Sequence, residues 1–322
     1  MDADAARFLA DLLRALGREP GGVVGLAVSG GPDSMAMLAL AADALPGRVA
    51  AATVDHGLRP EAKDEAAMVA ARCAVLAVPH ATLRAEIAPA GGNVQARARD
   101  ARYALLARWA GAMAADCVAT AHHADDQAET FLMRAARGSG LAGLAGVRPR
   151  ATIAGACVVR PLLDWRRAEL RAIARRRETP FVDDPGNLDL RFDRARARRL
   201  LDEHEWLAPA NIARSAGYLA EADADLRATV EWLWAARATV TGDDVRVDAD
   251  GLPRELRRRL ARRAVAAVRE AAGIAEPSFT DASNVEALLD GLERGRRVTQ
   301  GGVLASMREG RWRLRPAPPR RG

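Results

Sequence analysis

Six consecutive residues, Ser29-Gly30-Gly31-Pro32-Asp33-Ser34, are of types that handle phosphate. The two glycines let the backbone approach an anion with no Cβ in the way. An apolar run, Val23–Val28, precedes the loop and a helix-like stretch, Met35–Leu45, follows it. The segment therefore reads as a strand–turn–helix junction whose first helical turn aims N–H groups and a positive dipole end at the ligand. Ser29 and Ser34 add hydroxyl donors. Asp33 is out of place, because a carboxylate repels phosphate unless a divalent cation sits between them; that makes Asp33 a candidate metal ligand. The loop has neither the Gly-Lys-Ser/Thr of a Walker A loop nor Gly-x-Gly-x-x-Gly spacing. A plain turn rich in Gly and Ser would share its composition.

A second cluster is His122-His123-Ala124-Asp125-Asp126-Gln127-Ala128-Glu129-Thr130. If a helix begins near Asp125, Asp126 and Glu129 share a face. A simple helix start would use Asp125 as the cap and leave Glu129 in solvent, but it would not account for paired histidines. Adjacent histidines diverge from a strand and lack His-x-x-x-His spacing, so zinc fits poorly. The functional reading places Asp126 and one histidine, taken as His122, at a ligand edge. Arg99 and Arg102 lie three apart on a helical stretch, and Arg194–Arg199 is denser still. From Arg160 to Arg199 there are 12 Arg against 7 Asp plus Glu. Guanidinium forks match phosphates and carboxylates, although a solvated basic face would look the same.

Elements that could position these residues follow from apolar periodicity. A helix spans Ala5–Leu16, and strands are expected at Val23–Val28, Arg48–Val54, His80–Leu83 and Cys117–Thr120. Helices are expected at Ala62–Leu76, Asn93–Gly111, Asp125–Arg137 and Trp165–Arg177, with another from Arg194. Gly138–Arg150 reads as a loop and Pro180–Phe192 as irregular. Strands alternating with helices predict an α/β fold with a parallel, doubly wound sheet, whose ligands sit at the carboxyl ends of the strands. Ser29–Ser34, Asp55-His56 and His122–Gln127 all fall at that edge. Near Leu207 the pattern becomes mainly helical, with strand-like alternation at Val245–Val247 and Arg311–Arg315. A domain boundary is expected at roughly 205–215, dividing 1–208, the catalytic part, from 209–322, an accessory part.

With 322 residues, 49% apolar and 28% charged, the chain has a globular composition. No apolar run reaches the ~20 residues that span a bilayer, and the acidic N-terminus does not resemble a signal peptide. Three scattered cysteines offer no disulfide framework, which favours a reducing, cytoplasmic setting. A net charge of +6 and a pI of about 10.1 suit a polyanionic partner such as nucleic acid.

Taken in order, Ser29–Ser34, Val54–Arg59, Ala98–Tyr103, Ala121–Thr130, Arg137–Leu141 and Arg160–Leu163 resemble the tRNA(Ile)-lysidine synthases of the PP-loop ATP pyrophosphatase superfamily. The resemblance covers roughly residues 20 to 200. It implies a PP-loop fold related to the adenine nucleotide α-hydrolases, with ATP and Mg2+ as cofactors. It also implies two partners: free L-lysine and isoleucine tRNA with a CAU anticodon. ATP would adenylate C2 of the wobble cytidine, releasing pyrophosphate, and the lysine ε-amine would then displace AMP. On this reading Ser29, Gly30, Gly31, Pro32, Asp33 and Ser34 hold ATP, with Asp33 at the metal. Asp33, His122 and Asp126 are catalytic. Arg99, Arg102, Asp126, Arg194 and Arg198 face lysine and the extruded base. The family implies a monomer or homodimer. Two departures stand out: Asp184-Pro185-Gly186-Asn187 where Asp-Pro-Ser-Asn is usual, and Arg194-Ala195 where Arg-Asn is usual. The resemblance implies that 209–322 is a tRNA-binding or accessory domain, in which the basic helix Arg254–Arg263 is a candidate tRNA contact. Thiolation of tRNA, or tRNA binding without catalysis, are the competing readings.

Overall fold

A computed structural model describes residues 1–57, 61–85, 94–183 and 191–318. Asp184–Asn187, Arg59 and the final four residues lie outside these. The chain divides into two units, Met1–Ala220 and Glu221–Gly322.

The first unit runs α1 (Ala3–Leu16), β1 (Val24–Ala27), α2 (Pro32–Ala44), β2 (Val49–Asp55), α3 (Ala62–Val75), β3 (His80–Arg84), α4 (Val94–Ala112), β4 (Cys117–Thr120) and α5 (Ala124–Ala136). It continues with α6 (Leu141–Leu144), β5 (Arg150–Ile153), β6 (Ala156–Val159), α7 (Arg167–Arg176) and α8 (Asp193–Glu203). A long helix, α9 (Pro209–Arg237), contains the division between the units. The segment 138–150, expected to be a loop, holds the short α6 and the start of β5.

The sheet order is β3-β2-β1-β4-β6-β5, parallel except for β5 against β6. β1 to β3 build outward in one direction and the chain then crosses to lay β4 on the other side of β1. The order therefore reverses between β1 and β4, where α/β sheets open a crevice. β1 is wholly apolar, as a strand covered on both faces must be. Gly25 is needed there: a Cβ would lie 2.8 Å from the Trp109 ring. α2 is apolar all round, with Met35, Ala36, Met37, Leu38 and Leu40 fully buried, as befits a helix enclosed by other elements. The helix that starts at the phosphate loop is therefore held rigidly by its own core.

The second unit contains β7 (Ala238–Thr241), β8 (Asp244–Val247), α10 (Arg254–Ala271), α11 (Glu286–Glu293), β9 (Val298–Gln300), β10 (Val303–Arg308) and β11 (Arg311–Pro316). Its strands form an antiparallel sheet in the order β7-β8-β11-β10-β9. Val245, Val247, Val303, Ala305, Trp312 and Leu314 line one face and pack with α10 and α11 in a single core. β8 and β11 follow from the alternation that marks a half-buried strand, and Gly301-Gly302 turns the chain between β9 and β10 as their sequence suggests; β7 was not apparent.

Candidate active site

A cleft of about 940 Å³ opens at the carboxyl ends of the first sheet's strands, within the size range of small-molecule sites. Ser29–Ser34, Arg99, Arg102, His122, Asp126, Arg194 and Arg198 all line it, so every residue nominated for ATP, lysine or the extruded base borders one cavity.

The phosphate loop is built as a helix start. α2 begins at Pro32 rather than Met35, placing Asp33 and Ser34 in its first turn. Its N-cap is Gly31, which has no side chain to cap the first N–H groups; these are left for a ligand. Gly30 takes φ +86°, a conformation glycine adopts freely. Ser34 is buried and braces the loop: its Oγ accepts from the Ser29 N–H at 3.1 Å and donates to the Gly31 carbonyl at 3.0 Å. Ser34 thus serves loop geometry rather than offering the outward donor expected.

The cap of α5 corrects the sequence reading. His123, not Asp125, is the N-cap. Its Nδ1 accepts from the Asp126 N–H at 3.3 Å, and Asp126 Oδ2 accepts from the His123 N–H at 3.1 Å. With Nδ1 so engaged, Nε2 faces Asp33 Oδ2 at 3.4 Å and Asp126 Oδ2 at 3.5 Å. His123 thereby joins the phosphate loop to the start of α5 across the β1/β4 reversal. Asp125 instead accepts from Arg166 through two bonds of 3.1 Å and from the Arg167 N–H at 2.8 Å, fastening α5 to α7. His122 Nδ1 lies 2.9 Å from Thr120 Oγ1.

Glu129 is not solvated but fully buried. Its carboxylate pairs with Arg167, with Arg198 Nε at 2.9 Å and with Arg194 Nε at 3.4 Å. It gathers arginines from α7 and α8 onto the cleft wall. Arg167 and Arg171, which also line the cleft, and Glu129 behind them were not nominated from the sequence. Their grouping depends on how α7 and α8 pack, which no local motif encodes. His56, at the end of β2, also lines the cleft, with Nδ1 buried and unpartnered among the described residues. Arg99 and Arg102 lie 5.0 and 5.3 Å from the centre of the Tyr103 ring. In all, six arginines (Arg99, Arg102, Arg167, Arg171, Arg194, Arg198) face the cleft against four carboxylates (Asp33, Glu65, Asp126, Asp183), a balance that suits a polyanion.

Burial pushes the His122 imidazole well below its ordinary range, so it is neutral near pH 7 and can exchange hydrogen bonds without carrying charge. Burial opposes charge on His123 too, but its bond to Asp33 and the carboxylates of Asp126 and Asp33 outweigh this and raise its pKa above 6.5. Charging the ring would put a proton on Nδ1 and give up the bond it accepts from the Asp126 N–H.

Asp33 Oδ1 is buried with no hydrogen-bond partner among the described residues. A hard cation takes such an oxygen, and Mg2+ is commonly held by one or two carboxylates plus substrate phosphates. The residues present therefore fit a phosphate-bound Mg2+.

The reversed sheet order, the uncapped glycine loop and the cleft between them define a PP-loop nucleotide-binding domain, and the family model for the PP-loop domain matches residues 2–205. The U34-tRNA thiolase NcsA of Methanococcus maripaludis shares the fold, with a TM-score of 0.57 at 18% identity over 68% of this chain and 79% of that one. The chain is 44% identical to the tRNA(Ile)-lysidine synthase of Novosphingobium aromaticivorans over 98% of its own length and 95% of the relative's. It is 41% identical to that of Zymomonas mobilis over 93% of its length and 90% of the relative's. The chain belongs to the tRNA(Ile)-lysidine synthases.

Proposed function

We propose that this cleft carries out both halves of lysidine formation. The activity is that of an ATP-dependent ligase acting on isoleucine tRNA. In the first half, C2–O of the wobble cytidine of the CAU anticodon attacks the α-phosphorus of ATP and pyrophosphate leaves. In the second, the ε-amine of free L-lysine attacks C2 and AMP leaves. The observation that carries this reading is the placement of Asp33. It sits in the first turn of an uncapped helix, with an unpartnered oxygen, opposite a wall of arginines.

The N–H groups of α2 bind the phosphate chain, and Asp33 would hold Mg2+. When bound, the ion would neutralise charge on the leaving pyrophosphate. Asp126, held by its reciprocal bonds with His123, presents a carboxylate for the lysine α-amine. Arg99 or Arg102 takes the lysine carboxylate. Arg194 and Arg198, positioned by Glu129, clamp phosphates flanking the extruded base. Neutral His122, which lines the cleft with Asp126, can hydrogen-bond the substrate there without adding charge.

A thiolase needs reactive sulfur, and none of the three cysteines lines the cleft. Burial pushes the Cys73 thiol up to about 11 and that of Cys117 up to about 12, so both stay protonated and inert. The direct test is incubation with ATP, Mg2+, radiolabelled lysine and candidate tRNAs. Label should pass to isoleucine tRNA with a CAU anticodon and depend on ATP. No transfer to that tRNA would overturn the assignment.

A further inference from the structure

One N–H in the cleft serves two carboxylates from different helices. His123 Nδ1 accepts the Asp126 N–H, which leaves the proton of the neutral ring on Nε2. That N–H lies between Asp33 Oδ2 at 3.4 Å and Asp126 Oδ2 at 3.5 Å. Both separations exceed the ~3 Å of a good N–H···O bond, so the donor is shared and neither acceptor holds it fully. Asp125 does not compete for it. Its carboxylate lies 3.7 Å from Nδ1, on the other side of the ring, and is committed to Arg166 and the Arg167 N–H.

The two carboxylates answer to different ligands. Asp33, in the first turn of α2, has Oδ1 buried without a partner among the described residues and fits a phosphate-bound Mg2+. Asp126, the third residue of α5, is the carboxylate offered to the lysine α-amine. Their helices follow β1 and β4, which are paired neighbours, and His123 touches both carboxylates. The ring cannot turn to choose between them, because the reciprocal capping bonds with Asp126 fix its orientation. A choice is made by the acceptors. With a cation on its free oxygen, Asp33 becomes the poorer acceptor, and the N–H passes to Asp126. Asp126 Oδ2 is then pinned and Oδ1 is left to face an ammonium group.

We propose that His123 is a positioning residue that couples the two halves of the reaction: a metal-bound nucleotide at Asp33 turns the shared N–H to Asp126 and so raises the affinity for lysine. The inference rests on the roles proposed for Asp33 and Asp126. Coupling of this kind is reciprocal, so lysine must tighten metal-dependent nucleotide binding by the same factor.

Two substitutions separate the bridge from the cap. Asn puts an acceptor as many bonds from Cβ as Nδ1 and is a good N-cap, but it has nothing at the position of Nε2. Gln puts an amide N–H at the distance of Nε2 and leaves the cap position empty. Binding of L-lysine to the full chain is measured by calorimetry with saturating α,β-methylene-ATP, which cannot release pyrophosphate, in Mg2+ and again in EDTA. Wild type should bind lysine about fivefold or more tightly with Mg2+, and the nucleotide should gain equally from lysine. His123→Asn should melt close to wild type yet bring both ratios down to about one. His123→Gln should melt lower and keep most of the coupling. A wild-type ratio of one would overturn the proposal, as would a ratio retained in His123→Asn. Equal loss in both variants would also overturn it, leaving His123 a structural cap alone. If the coupling behaves as expected but no label passes from lysine to isoleucine tRNA, the lysidine reading fails and this link stands. Lysidine formation without any Mg2+ effect on lysine binding would do the opposite.

Discussion

Asp33→Asn is expected to reduce ATP-dependent pyrophosphate release by at least roughly a hundredfold, the scale on which single electrostatic contacts to a reacting group act. The substitution keeps the size of the side chain and an acceptor for His123 Nε2, now 3.4 Å away. What it removes is the negative charge on the buried oxygen that has no partner. ATP binding measured with and without a chelator should therefore become insensitive to Mg2+ in the variant. Binding of tRNA should remain close to wild type, because the arginine wall is untouched. Joint loss of tRNA binding and ATP chemistry would show that Asp33 supports the cleft's structure rather than a metal.

The second large effect is expected at Glu129→Gln. The carboxylate is fully buried and answers Arg167, Arg194 and Arg198 together. Removing one member of a buried ionic cluster leaves charge uncompensated and costs on the order of 3–5 kcal/mol. A loss of that size is a large part of a domain's total stability. Thermal and denaturant unfolding should report it, and Arg194 and Arg198 should lose their fixed positions on the cleft wall. The variant that does fold should show a raised KM for tRNA. A variant as stable as wild type would mean that solvent reaches Glu129 and that its pairs contribute little.

Much of the first unit was legible in the sequence because its signals are local. The apolar run into Ser29–Ser34 is a strand feeding a glycine turn, and Cys117–Thr120 runs into the histidines in the same way. Alternating elements predicted the parallel sheet, and the parallel sheet predicted which strand ends would share a cleft. What could not be read depended on tertiary packing. Glu129 looked like a surface residue of an amphipathic helix, since its partners Arg167 and Arg198 lie 38 and 69 residues away. Asp125 looked like a helix cap because aspartate is good at capping. The structure gives that role to His123 and uses Asp125 to tie α5 to α7. The basic helix at Arg254–Arg263 looked like a nucleic-acid contact because its compensating acids are mostly on other elements.

The position of β1 between β2 and β4 has a consequence for how the enzyme is made. Val24 pairs with Val49 on one side and with Cys117 on the other. The first pairing closes a short βα unit that can form early, with the glycine loop already shaped. The second must bring together segments far apart in the chain, a slow event in sheet formation. Only then do His123 and Asp126 arrive beside Asp33. During synthesis, a nascent chain that has folded β1 to β3 has the phosphate cradle without the residues that complete the reacting centre. The β1–β4 pairing is what sets His123 and Asp126 beside the phosphate loop, so ATP turnover is expected only from chains in which that pairing has formed.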